Sequence, residues 1–176
     1  NRTVVTFVGP PEAVEEAAFR AIAKAAEVID MSRHHGEHPR MGATDVCPFV
    51  PIQGATMKDC VAISKRVGKR VGEALGIPVY LYGYAATQPS RKRLPDIRQG
   101  EYEALSERLK DPSFAPDFGP AKFNPKAGAT AIGARDFLIA WNVNLNTRDT
   151  KLANRIAASL RETGKPRRAP SGEIVS

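Results

Sequence analysis

Histidine and cysteine are both scarce in this chain, and the scarcity is informative. There are only two cysteines, Cys47 and Cys60, which excludes a disulfide framework. Neither lies at a spacing that would hold a metal. One falls in an expected strand and the other in an expected helix, so both read as free buried thiols of a reducing cytosol. No apolar run approaches the roughly 20 residues needed to cross a bilayer. The first twenty residues lack the basic start and apolar core of a secretory leader. An initiator Met is also missing, and "NRTVVTFVG" reads like strand interior, so the chain is expected to begin partway into a larger protein. Neither an internal repeat nor a low-complexity block is present.

The remaining composition is that of a globular protein. Of the 176 residues, 42% are apolar, enough for one domain or for one domain plus part of a second. The net charge is +7 and the pI is near 9.6. That balance favours anionic partners, whether nucleic acid, phosphates or carboxylate-rich small molecules, without choosing among them.

Along the chain, "TVVTFV" at 3–8 is β-branched and aromatic and predicts a strand. A helix follows over 11–30, with Val14, Ala18, Ile22, Ala25 and Ile29 at helical spacing. "VCPFVPIQ" at 46–53 predicts an edge or bulged strand, given its two prolines. Thr56 is a candidate N-cap for a helix over 57–75, with Gly76 at its C-cap. The basic quartet Lys65, Arg66, Lys69 and Arg70 reads as that helix's solvated face. "PVYLYG" at 78–83 predicts another strand. A connection then carries the basic cluster Arg91, Lys92, Arg93 and Arg98, read as surface, before a short helix over 101–110.

Residues 111–134 are dense in Pro, Gly, Phe and Ala and read as one long loop. "RDFLIAWNVNLN" at 135–146 alternates and predicts the clearest strand. A helix over 149–163 should bury Leu152, Ile156 and Leu160, and a Gly/Pro-rich basic tail follows. The order of elements points to an α/β fold: a two-layer sandwich, a mixed β-sheet with helices mainly on one face.

All three histidines lie in "SRHHGEHPRMG", residues 32–42. The spacing of His34, His35, Glu37 and His38 matches no standard zinc pattern, and Gly36 and Pro39 oppose a regular helix. Acid–base chemistry is the second possibility, since a histidine can accept and return a proton near neutrality. Glu37 could orient the ring. Arg40 could hold a substrate carboxylate by its fork, and Gly36 and Gly42 allow close backbone approach. A solvated polar turn is the third, and composition alone favours none of them.

Taken together, "NRTVVTFVGPP", "IDMSRHHGEHPRMGATDVCPFVP", "PVYLYG", "LPDIRQGEYEAL", "APDFGP" and "GATAIGARDFLIAWNVNL" resemble the formiminotransferase family. The resemblance runs from Asn1 to about Gly164. It implies folate-dependent transfer of a formimino group from N-formiminoglutamate to tetrahydrofolate in histidine breakdown, with no metal. It implies His38 as the catalytic acid and base, with Glu37, Arg40 and Gly42 lining the substrate. The family's folate segment falls on "GPAKFNPKAG": Gly119, Pro120, Ala121, Lys122, Phe123, Asn124, Pro125, Lys126, Ala127 and Gly128. Phe118 and Phe123 could flank the pterin, and Lys122 or Lys126 could meet the glutamyl tail.

The same resemblance implies an N-terminal subdomain over 1–134 lacking its first elements. The start of a second subdomain would span 135–164, with a tail or linker over 165–176. A cytoplasmic homodimer without membrane attachment is expected. Two other classes stay open on the residues: a basic nucleic-acid-binding module, and a histidine-loop metallohydrolase. The first lacks a recognised binding motif, and its aromatics are not interleaved with the basic residues.

Overall fold

The computed structural model describes residues 2–139, 143–160, 167–168 and 174–175. They fall into two compact units, Asn1–Phe137 and Leu138–Ser176.

In the first unit, helix α1 (Pro11–Val28) opens on prolines that need no amide partner, and it buries Ala18 and Ile22 one turn apart. Strand β1 spans Val46–Phe49. Helix α2 (Met57–Leu75) starts on a capping box in which the Thr56 amide donates to Asp59 at 2.8 Å and the Asp59 amide donates back to Thr56 at 3.3 Å. It stops at Gly76, whose φ of 64° is left-handed. Strand β2 (Val79–Gly83) follows, then the short helices α3 (Leu94–Ile97) and α4 (Glu101–Arg108), and last strand β3 (Thr130–Ala134).

The sheet order is β1-β3-β2, with both pairs parallel and Ala131 opposite Val46 on one side and Tyr80 on the other. Among the described residues of this unit, antiparallel pairing is confined to isolated bridges, Gly42 with Gly128 and Val79 with Phe118. The architecture is an α/β sandwich with both long helices on one face. Val79, Leu81, Ile132 and Ala134 pack there with Ala18, Ile22, Ile63, Val67 and Val71. Tyr80, Tyr82 and Ala131 point the other way, onto Met41, Ile97, Leu105 and Leu109. Burying these side chains supplies most of the stabilisation, at about 25 cal/mol per Å² of apolar surface removed from water.

The central strand lies where a loop was expected. β3, "TAIGA", is buried at every position. A strand covered on both faces needs no polar alternation, so its small residues hid it. Two expected strands are absent. Residues 2–10 form no strand, and Val4, Val5 and Val8 are exposed. A β-rich pattern needs a neighbouring strand to pair with, and among the described residues that segment pairs with none. The expected strand 135–146 is likewise no strand at 135–139 and 143–146, while 140–142 lie outside the described residues. Asp45, just ahead of β1, by contrast accepts from the amide of Ala131 on β3 at 3.0 Å.

The basic quartet of α2 is exposed but not idle. Arg66 pairs with Glu15 at 2.6 Å and Arg70 with Glu16 at 2.5 Å, tying α2 to α1. The 91–98 cluster is only half the surface expected: Lys92 and Arg93 are exposed, but Arg91 and Arg98 are not. Arg91 is buried, donating to Asp117 at 2.7 Å and to the Ala115 carbonyl at 2.5 Å. Arg98 turns inward onto Asp45.

The second unit contains helix α5 (Thr150–Leu160) and a short antiparallel pair, β4 (Arg167–Arg168) and β5 (Ile174–Val175). The pairing falls in the stretch expected to be a frayed tail. The α5 stripe is not the buried one expected: Leu152 is half-buried, but Ile156 and Leu160 are exposed. Helical spacing gave the stripe, yet no described element covers it. Among the described residues, no helix is long and apolar enough to cross a membrane.

Candidate functional site

The loop before β1 and the loop before β3 meet because β1 and β3 are parallel neighbours. Both loops therefore arrive at the amino ends of adjacent strands. The first leaves α1, makes a single helical turn at Met31–Arg33 capped by Asp30, and reaches β1 through buried Met41 and Gly42. The second ends in Ala127 and Gly128. Backbone bonds stitch them together: Met31 N to Lys126 O, Ala43 N to Ala127 O, and Ala129 N to Met41 O, each 2.9 Å. The two segments singled out in the sequence are thus side by side.

His38 is half-buried on the first loop. Its Nδ1 lies 2.9 Å from the Pro39 carbonyl oxygen, which can only accept, so the network assigns the proton to Nδ1. Nε2 is then the acceptor, and the Arg2 guanidinium donates to it. That tautomer leaves the ring's lone pair on Nε2, where Arg2 occupies it. The other two histidines take separate places. His35 is exposed, whereas His34 is half-buried with Nδ1 buried and unpartnered among the described residues. Among the described residues, no three His, Cys, Asp or Glu side chains gather as a metal site would need.

Arg40 is already engaged. It donates to Glu101 at 3.0 Å, to Glu103 at 2.6 and 2.8 Å, and to the His34 carbonyl at 3.1 Å. The Glu103 hydrogen bonds hold Arg40 above its ordinary value and hold Glu103 below the usual glutamate range. Gly42 lines no open space: it is buried against Gly128 and the carbonyls of Ala127 and Ala129. Glu37 is exposed. A shallow open cleft of about 360 Å³ lies beside the loop, lined by His35, Gly36, Arg40, Gly100, Glu101 and Glu103.

In the second loop, Gly119, Pro120, Ala121 and Lys122 are exposed, as are Pro125 and Lys126. Asn124 builds the turn, its Oδ1 accepting from Ala127 N at 2.9 Å and its carbonyl from Gly128 N at 2.8 Å. Lys126 Nζ donates to the Glu27 carbonyl at 2.8 Å. Phe123 packs on the Tyr102 ring, with centroids 5.4 Å apart. Phe118 is on the opposite side of the sheet, against Gly68 and Val79 on the α2 face. The two phenylalanines therefore do not flank one space.

Three residues missed in the sequence connect the parts. Tyr102 donates its hydroxyl to Pro125 O at 2.6 Å and its amide to Arg40 O at 2.9 Å, joining both loops to α4. Asp45 accepts from Met41 N at 3.0 Å and from Arg98. Burial pushes its carboxyl above the ordinary range, against the pull of Arg98, the Met41 amide and His38. Glu101 is the third. The available signal was "QGEYEAL", where a glycine precedes two glutamates flanking a tyrosine.

The first unit is thus an α/β sandwich subdomain whose His38 loop is stitched to a Gly/Pro-rich loop at the amino ends of adjacent strands. Residues 1–135 match the family described as formiminotransferase domain, N-terminal subdomain, and the chain belongs to that family. It is 56% identical over 170 residues to the formimidoyltransferase-cyclodeaminase of Mus musculus, covering 97% of this chain and 31% of the mouse protein. It is 51% identical over 164 residues to the glutamate formimidoyltransferase of Streptococcus pyogenes serotype M1, covering 93% of this chain and 55% of that protein. With the Thermoplasma acidophilum glutamate formimidoyltransferase the identity is 53% over 163 residues, covering 92% and 54%. The chain thus spans from about a third to about half the length of these relatives.

Proposed function

We propose that this chain is the histidine-bearing part of a folate-dependent transferase, which moves a formimino group from N-formiminoglutamate to tetrahydrofolate. The names of its relatives support formimidoyl transfer. The observation that carries the chemistry is the placement of His38, with Nδ1 against the Pro39 carbonyl and Nε2 as the acceptor, a position Arg2 occupies and would yield to the substrate.

In this mechanism N5 of tetrahydrofolate attacks the formimino carbon, and His38 Nε2 takes the N5 proton. The tetrahedral intermediate collapses as the imidazolium returns that proton to the glutamate nitrogen. The C–N bond to glutamate breaks, leaving formiminotetrahydrofolate and free glutamate. An amidinium carbon is electrophilic by itself, so the scheme uses no metal. Proton transfer of this kind contributes about 100- to 10,000-fold. Holding both reactants in line contributes further.

The exposed stretch from Gly119 to Lys126 is the folate-facing part in this proposal, with Lys122 toward the glutamyl carboxylates. In this proposal Arg2, which donates to His38 in the free protein, turns to a carboxylate of the amino-acid substrate on binding. A cytosolic homodimer completes the proposal, and free Cys47 and Cys60 support a reducing compartment. The test is formimino transfer by the full-length protein carrying His38→Ala. Turnover should fall by at least about 100-fold with the fold retained. Wild-type turnover in a folded variant would remove His38 from the mechanism.

A further inference from the structure

We propose that Glu101 and Glu103 are positioning residues, acting through Arg40 to hold the loop that carries His38. This rests on the role given to His38 above. The Arg40 guanidinium closes a ring: it reaches back to the His34 carbonyl at 3.1 Å, so residues 34 and 40 are tied across the loop. The two carboxylates hold that guanidinium in place, Glu103 in a two-pronged contact and Glu101 from the start of α4. The Arg40 side chain is only 11% exposed. Among the described residues, the amides of residues 35–38 make no backbone hydrogen bond. The ring is therefore what fixes the course of the chain through His38.

A second observation points to the same place. Glu101 has φ 57°, and it is the one non-glycine residue with positive φ among those described. A β carbon disfavours that conformation, and such strain persists where surrounding contacts over-determine it, often at functional sites. Here it aims the Glu101 carboxylate at Arg40, with the Arg40 carbonyl accepting from the next amide, Tyr102 N, at 2.9 Å. Arg40 has both terminal nitrogens filled by protein acceptors, while its Nε is buried with no partner among the described residues. It therefore serves the histidine rather than a substrate carboxylate.

The test uses the full-length protein with Glu103→Gln, Glu101→Gly and His38→Ala. Glu101→Gly removes the carboxylate but relieves the strained φ, so it keeps a folded sample available if Glu103→Gln does not. Both clamp variants should lose about 10- to 100-fold in kcat while KM for N-formiminoglutamate stays within about twofold. Glu103→Asp should recover part of the loss. Imidazole 15N spectra of the 176-residue chain itself, which has only three histidines, can follow His38 directly. Its Nδ1–H signature should give way to a tautomer mixture in the clamp variants. Wild-type kcat in both would overturn the clamp, and a raised KM with kcat unchanged would overturn it in favour of Arg40 as a ligand contact. Loss of turnover in His38→Ala with intact clamp variants would sink only the clamp. Full turnover in His38→Ala would sink the proposed function itself.

Discussion

Gly42 and Gly128 meet across an antiparallel bridge that leaves no room for a β carbon on either residue. A methyl on Gly42 would sit 2.1 Å from the Ala129 oxygen, and one on Gly128 would sit 2.2 Å from the Met41 oxygen. Both obstacles are backbone, which cannot step aside as a side chain can. Gly42→Ala should therefore destabilise the protein by about 1–3 kcal/mol, as overpacking does. Chemical denaturation measures this directly. An unchanged midpoint would show that the two loops can separate at no cost.

Asp117 holds three partners at once: the Leu81 amide at 2.8 Å, Arg91 at 2.7 Å, and the Thr87 hydroxyl. Both members of the ion pair are nearly buried, at 5% and 8% exposed. Removing one member strands the other charge, so Asp117→Ala should cost about 3–5 kcal/mol. Arg91→Met in the same background should return part of that loss. A double-mutant cycle in urea supplies the coupling.

Burial pushes the Cys47 thiol up to about 12, and burial also raises Cys60. Thiolate is the reactive form, so neither cysteine should react promptly with a disulfide reagent at neutral pH. Both should become reactive together on unfolding. Fast labelling of one native thiol would show that its surroundings open locally.

Acid should erase the advantage of Glu103. Its folded carboxyl lies below the usual glutamate range because Arg40 hydrogen-bonds it. Stability from such a group is complete above the unfolded value, about pH 4.3, and is lost as pH falls through the lower folded value. Melting temperatures of wild type and Glu103→Gln should differ near neutrality and converge in acid. A gap that persists in acid would assign the difference to packing instead of charge.

Some of this was legible in the residues and some was not, for physical reasons. α2 could be bounded to the residue because its ends carry their own chemistry, a Thr/Asp box and a left-handed glycine. β3 could not be found. Strand signals depend on β-branched alternation, while a strand packed on both faces between two neighbours selects small residues. The segment 135–146 shows the converse: alternation asks for a sheet edge, and its described residues have none. Within the site, both loops were singled out, but their contact depends on two glycines more than eighty positions apart. Glu101 and Glu103 escaped notice because acids at a helix start ordinarily need no explanation beyond the helix dipole.

The bridge glycine Gly128 lies just ahead of β3, the strand paired on both sides and buried throughout. Amides in such a strand exchange with solvent only when the whole domain opens. The carboxyl anchor of the second loop therefore borrows the slowest fluctuation the fold has. The exposed turn from Gly119 to Lys126 is hitched to it at that end, and at the other end to Phe118 in the α2-side core. Opening of the turn is thereby confined to those few central residues. Hydrogen exchange should show a steep gradient there, fast at Lys122 and slow by Ala129.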